Sequence, residues 1–255
     1  LAYTRENANN IDLNRDAQAL SQPESIVLNK LYLNFKPDYC FNLHDQRTIY
    51  SAGKKPKPAT LSFLSPAADE TRGPSPSRDI SMQLIAAMYH AIRPALGDCV
   101  GRYDDSFNLD CTGDYFQSLG TPTLLLEAGH FPGDYAREET RKYVWYVLLT
   151  ALIIIARDEI DQFSVEQYKA IPNNEKLFFD VLIRNAANLK DKYKAGQSVG
   201  IQLREVLHKE NIEFQPAVEI VDNLDEHFGH LEFDCEDKSS LTELQSNENI
   251  MTLLI

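Results

Sequence analysis

Pro122-Thr123-Leu124-Leu125-Leu126-Glu127 decides how this chain is read. Three successive leucines behind a threonine make a short, continuous apolar run, the pattern of a strand buried on both faces of a sheet. The run stops at Glu127. A carboxylate closing so apolar a segment is costly unless it has a partner or a task.

Upstream, Asp38-Tyr39-Cys40-Phe41-Asn42-Leu43 is a second short apolar run, closing on His44, and Ala59 to Leu64 is a third. Helical patterns lie between and beside them. Ser21-Gln22-Pro23-Glu24 has the spacing of a capping box. Leu28, Leu31, Tyr32 and Phe35 then fall at i, i+3, i+4 and i+7, one apolar stripe that Lys36-Pro37 ends. A loop rich in lysine and proline runs from Ser51 to Pro58, and a Pro/Ser/Gly-rich loop reaches Ser77, which is expected to cap a helix through about Ala91. Gly97 to Gly113 reads as irregular. Beyond Glu127, Asp134 caps a long helix, apolar nearly all round from Tyr143 to Ala156 and therefore expected to be buried.

Helices alternating with apolar strands predict an α/β fold: a mostly parallel mixed sheet flanked by helices on both faces. After about Ile160 the pattern changes. Leu177 to Ile183, Val199 to Leu207 and Ile212 to Val221 read as successive strands. The organisation expected is therefore a main domain over residues 1–160 and a small β-rich C-terminal extension over 161–255. Asp222 to Glu248 holds nine acids and one lysine, the composition of a solvated, partly mobile tail.

Composition bounds the function. Of 255 residues 43% are hydrophobic, enough for a real core, and 25 basic against 38 acidic residues give a net charge of -13. That balance argues against nucleic acid or an anionic membrane as a partner. The longest apolar run, Val144 to Ala156, is well short of the roughly 20 residues a membrane span needs. Cys40, Cys99, Cys111 and Cys235 include no CxxC pair, so free thiols in a reducing, cytoplasmic compartment are expected.

In an open α/β sheet the ligand crevice lies beyond the carboxyl ends of the strands. If the two strands run parallel, His44 and Glu127 point into one crevice. Around them, Asn7-Ala8-Asn9-Asn10-Ile11-Asp12-Leu13-Asn14-Arg15, then Gln22-Pro23-Glu24, then Asn42-Leu43-His44, then Leu126-Glu127 resemble the ordered landmarks of the zinc carboxypeptidases, from about Arg5 to Ala156. The resemblance implies a zinc-dependent hydrolase of peptide or N-acyl amino acid substrates, with zinc held in part by His44. Asn14 and Arg15 would grip the substrate carboxylate, and Arg5 would polarise the scissile carbonyl. Glu127 would act on the metal-bound water, and a mobile tyrosine, Tyr103 or else Tyr115, would touch the substrate. Each role has a reason: neutral imidazole suits zinc, a planar guanidinium matches a carboxylate, and a metal lowers the pKa of its water to about 7.

The family's upstream His-x-x-Glu ligand segment does not occur in these 255 residues: His90, His130, His208, His227 and His230 all lack a glutamate three places on. The start at Leu1, a few residues before a core motif, leads us to expect that segment further upstream. Alternatives on the same fold are an N-acyl amino acid deacylase or a cell-wall amidase. A metal-free carboxylate-binding module is the alternative outside enzymes. Among other groups, His227 and His230 read as a solvated surface pair and His130 as a loop residue. Lys54, Lys55 and Lys57 read as a solvated loop, Asp45 as a candidate acceptor orienting a metal ligand, and Asp114 as a loop acceptor.

Overall fold

A computed structural model describes residues 4–254. Along the chain the helices are α1 (Pro23–Phe35), α2 (Pro76–Leu96), α3 (Thr112–Ser118), α4 (Glu138–Ala156), α5 (Val165–Lys169), α6 (Lys238–Ser246) and α7 (Glu248–Leu253). The strands are β1 (Cys40–Asp45), β2 (Ser51–Ala52), β3 (Leu61–Leu64), β4 (Val100–Arg102), β5 (Thr123–Ala128), β6 (Asn174–Glu175), β7 (Phe178–Arg184), β8 (Ser198–His208), β9 (Asn211–Asp222) and β10 (Phe228–Asp234). They divide into two compact units: residues 4–47 with 59–174, and residues 48–58 with 175–254.

The first unit is built on a mixed sheet of order β1-β5-β3-β4. β1 and β5 are parallel, β3 and β4 are parallel, and β5 meets β3 antiparallel. Side chains alternate between faces, so register sorts them. Leu61, Phe63, Leu124 and Leu126 project to one face and are fully or almost fully buried with Leu84, Ile85 and Met88 of α2 and Val147 and Ala151 of α4. Asn42, His44, Thr123, Leu125, Glu127 and Ser62 project to the other. The leucine run therefore hides a polar face: two of its leucines feed the core, and the intervening positions carry the chemistry. Gly129 follows at once, and a Cβ there would lie 1.9 Å from the Ala59 carbonyl oxygen, so only glycine lets the two segments approach.

Several local expectations change. The first long helix takes Gln22, not Ser21, at its N-cap, because Ser21 gives both its N–H and its hydroxyl to the buried Asp16 carboxylate. Helix α2 starts at Ser75, whose hydroxyl accepts from the Arg78 N–H while Pro76 takes the first helical position, where its missing N–H costs nothing. The stretch read as irregular contains β4, three residues that pattern alone cannot resolve. The long apolar helix α4 is not buried: Val147 and Ala151 reach the core, yet Trp145 is 63% and Leu152 55% exposed. On α1, Leu28, Leu31 and Phe35 are likewise exposed, while Tyr32 stacks on Phe116 at 4.2 Å. β1, expected to be buried, is an edge strand with Leu43 exposed. The unit runs on to Asn174, past residue 160, because Tyr168 and Ile171 lie in its core.

The second unit holds a sheet of order β10-β7-β8-β9, in which β10 and β7 are parallel and the other junctions antiparallel. Its acidic end is not a solvated tail. Residues 228–234 are β10, and Leu244, Ile250 and Leu254 from the end of the chain are buried against Val181, Ile183, Val199, Ile201 and Phe233. Charges occupy the outer positions while every few residues an apolar side chain anchors the segment. His230 is not a solvated histidine either: it stacks on Phe178 at 4.5 Å and bonds the Thr48 carbonyl oxygen at 2.8 Å. The His227 Nδ1 is buried.

Candidate functional site

β1 and β5 set the two central groups. Their parallel register places His44 opposite Glu127, at the carboxyl end of each strand and on the polar face of the sheet. Ser62 of β3 stands opposite Glu127 on the other side and completes the row. Sequence reading missed Ser62, since a lone serine in a strand carries no signal. Its hydroxyl is committed: it accepts from Gln46 Nε2 at 3.1 Å and Asn174 Nδ2 at 2.9 Å. His44 Nε2 and Glu127 Oε2 are the opposite case. Both atoms are buried and neither has a hydrogen-bond partner among the described residues. Buried polar atoms of native proteins are as a rule paired with protein or ordered water, which makes these two, on neighbouring strands, candidates for a site.

Burial pushes the His44 pKa down, helped by the Arg5 and Arg15 charges against Asp12. Its imidazole is therefore neutral at neutral pH rather than a cation. Burial pushes the Glu127 carboxyl up to about 7, the Asp45 charge adds to this, and Arg5 opposes it. Arg5 thus acts on both central groups. Asp45 does not orient His44. It projects from the other face of β1 and pairs with Arg137 at 3.2 Å, because adjacent residues on a strand point in opposite directions.

The Asp-Leu-Asn-Arg box folds as a single 3-10 turn, Leu13–Arg15. Asp12 caps it, accepting from the Asn14 N–H at 2.9 Å, and its other oxygen takes the Arg5 Nε at 2.6 Å. Asp16, just after the turn, is buried and accepts from the Ser21 N–H and hydroxyl and the Gln22 N–H, which fixes the exit of the loop. The bonds from the Ser21 hydroxyl and the other donors hold its pKa down to about 2, against the cost of burial. Asn14 Oδ1 accepts from the Thr112 N–H at the start of α3. The Arg15 guanidinium bonds the Asn14 carbonyl oxygen at 2.6 Å and touches Cys111 Sγ at 3.1 Å, with most of the exposed fork left over.

A cavity of about 270 Å³ adjoins this loop, walled by Asn14, His44, Leu28, Asn29, Tyr115 and Phe116 among others. Tyr115 therefore shares a wall with His44 and Asn14. Tyr103 does not: it follows β4, at the sheet edge opposite β1, and bonds the Phe63 carbonyl oxygen through its N–H. Asp114 lies in α3 rather than in a loop and accepts weakly from the Asn108 N–H at 3.5 Å. His130 accepts from the Thr60 hydroxyl through its carbonyl oxygen. Lys54, Lys55 and Lys57 belong to the second unit.

Among the described residues no three His, Cys, Asp or Glu side chains are grouped as a metal requires. The polar face supplies one imidazole and, in register with it, one carboxylate, short of the three protein ligands a catalytic zinc takes. The four cysteines are free thiols. No helix among the described residues is long and apolar enough to cross a membrane. No family model, no curated protein and no solved structure matches the chain.

Proposed function

We propose that the first unit is a zinc carboxypeptidase-like hydrolase that cleaves an amide bond next to a free carboxylate. The observation that carries this reading is the pair of orphaned buried atoms, His44 Nε2 and Glu127 Oε2, on one rung of the sheet beside the Asn14-Arg15 turn. Arg15 offers a planar fork to the substrate carboxylate and the Asn14 amide a neutral donor. Arg5, once released from Asp12, stabilises the developing oxyanion. Glu127 takes the proton of the attacking water and hands it to the leaving nitrogen, a role suited to a carboxyl whose pKa sits near neutrality. Tyr115, on the cavity wall, replaces Tyr103 as the tyrosine that contacts substrate.

His44 would hold the zinc as one of the three protein ligands that a catalytic site takes. Zinc, when held there, would supply Lewis-acid chemistry by lowering the pKa of a coordinated water. Full helical cover on both faces of the sheet, and a second unit that serves as an appended module, are parts of the same proposal. An N-acyl amino acid deacylase, a cell-wall amidase and a metal-free carboxylate-binding module share the carboxylate clamp and differ in what lies beyond it. The test is hydrolysis of paired peptides, free and amidated at the C-terminus, by the full-length zinc-loaded protein and by its Glu127→Gln variant. Loss of the free acid alone, abolished in the variant, is the expected result. Binding of the free acid with no zinc uptake and no turnover points to the module.

A further inference from the structure

Arg137 stands at the start of α4 with φ +60°, a left-handed backbone that a non-glycine residue adopts at a cost. Capping does not explain the conformation. Asp134 caps the helix, its carboxylate accepting from the Glu138 N–H at 2.8 Å and the Thr140 N–H at 3.0 Å. The Arg137 side chain reaches back to the sheet instead, and its two terminal nitrogens divide between two strands. Nη1 donates to the carbonyl oxygens of Ala128, at 3.3 Å, and of Gly129, at the end of β5. Nη2 donates to the Gln46 carbonyl oxygen just past β1, at 3.5 Å, and pairs with Asp45 at 3.2 Å. The Asp45 side chain is 69% exposed, so that ion pair holds little by itself. The part-buried bonds from a cation to carbonyl oxygens are the stronger ones. β1 needs such a tie. It is an edge strand, paired among the described residues with β5 alone. Its last bond to β5, from the Gln46 N–H to the Ala128 carbonyl oxygen at 2.9 Å, lies just beyond His44 and Glu127. A strand end held from one side opens readily, and opening there moves His44 away from Glu127.

We propose that Arg137 is a positioning residue: its fork ties the carboxyl ends of β1 and β5 together and so fixes the spacing of His44 and Glu127. It acts through the strand ends rather than on a substrate. The proposal rests on the hydrolase reading only for what that spacing serves. A lysine cannot copy the tie, since its donors diverge from one nitrogen, whereas the guanidinium holds separate nitrogens in a fixed plane.

The test uses Arg137→Gly in the full chain, because glycine accepts φ +60° without strain and the turn is kept while the fork is lost. By NMR, exchange of the Gln46 N–H should become about tenfold faster, the worth of one bond from a charged donor, with the Leu124 and Leu84 amides within about twofold. The His44 ring resonances should shift in the variant and return when ethylguanidinium is added, which restores the fork without its chain. Asp45→Asn should leave Gln46 exchange within about twofold, since the ion pair is not the tie. Arg137→Lys should show the same faster exchange and shifted His44 ring, and it carries these readouts if the glycine variant does not fold. In hydrolysis of a peptide with a free C-terminus, kcat should fall about tenfold or more with KM within about twofold. If Gln46 and His44 respond while the unaltered protein hydrolyses nothing, the tie stands and the hydrolase reading fails. Faster exchange spread evenly through the core, a His44 ring left unmoved, full recovery in Arg137→Lys, or hydrolysis with kcat unchanged would each overturn the proposal.

Discussion

His44 and Glu127, 83 positions apart in sequence, stand opposite each other on neighbouring parallel strands, each with a buried side-chain atom that no group among the described residues satisfies. The parallel register is what makes them neighbours. Slipping β1 by one residue would turn His44 to the core face and bring Leu43 in its place.

The carboxylate clamp gives the first prediction. Arg15→Ala should weaken binding of an N-acyl amino acid about tenfold or more and leave the corresponding amide unaffected, as measured by calorimetry. Arg15→Lys should recover only part of the loss, since an ammonium cannot copy the bidentate fork.

Asp114 gives a pH dependence. Its carboxyl sits buried in α3 and is pushed up to about 6, burial outweighing the bonds from backbone N–H groups and the charges of Arg15 and Arg78. In the unfolded chain it titrates near 3.9. Between roughly pH 4 and 6 the unfolded state therefore loses its proton first, stability falls as pH rises, and the deficit persists above pH 6. Asp114→Asn removes the charge, so denaturant unfolding should show a gain of about 1 kcal/mol at pH 8, after allowing for solvent screening, and none at pH 4.

Core packing between the sheet and α2 rests on fully buried side chains such as Leu84. Leu84→Ala should lower stability by about 3 kcal/mol, the transfer loss plus the cavity left behind. Chemical denaturation is the measurement.

Helix α4 gives the converse case. Trp145 is 63% exposed despite its place in the most apolar run of the sequence. Trp145→Gln should change stability by less than about 0.5 kcal/mol. A loss of several kcal/mol would show that this face is covered.

Much of the site was legible because it lies at strand ends. Apolar runs that stop at a histidine and at a glutamate announce both the strands and the groups they deliver, and parallel pairing does the rest. The Asp-Leu-Asn-Arg box was legible as a polar loop whose asparagine and arginine share a turn. Other features were not. The burial of α4 could not be read from periodicity, since a run apolar on every side does not say which side meets the sheet. The acid count of the C-terminal end concealed Leu244, Ile250 and Leu254, because composition averages over the few positions that pack. β4 is too short for any pattern, and with a serine on either side of Pro76 the residue types alone do not say which of the two caps α2.

The most direct test follows the His44 imidazole by NMR during titration with N-acetyl-L-tyrosine and, separately, with its amide. If the histidine, the glutamate and the Asn14-Arg15 turn form one carboxylate-reading site, the acid shifts the His44 resonances and binds at least tenfold more tightly than the amide. Equal binding of the two ligands, or binding of the acid that leaves His44 unmoved, would contradict the account.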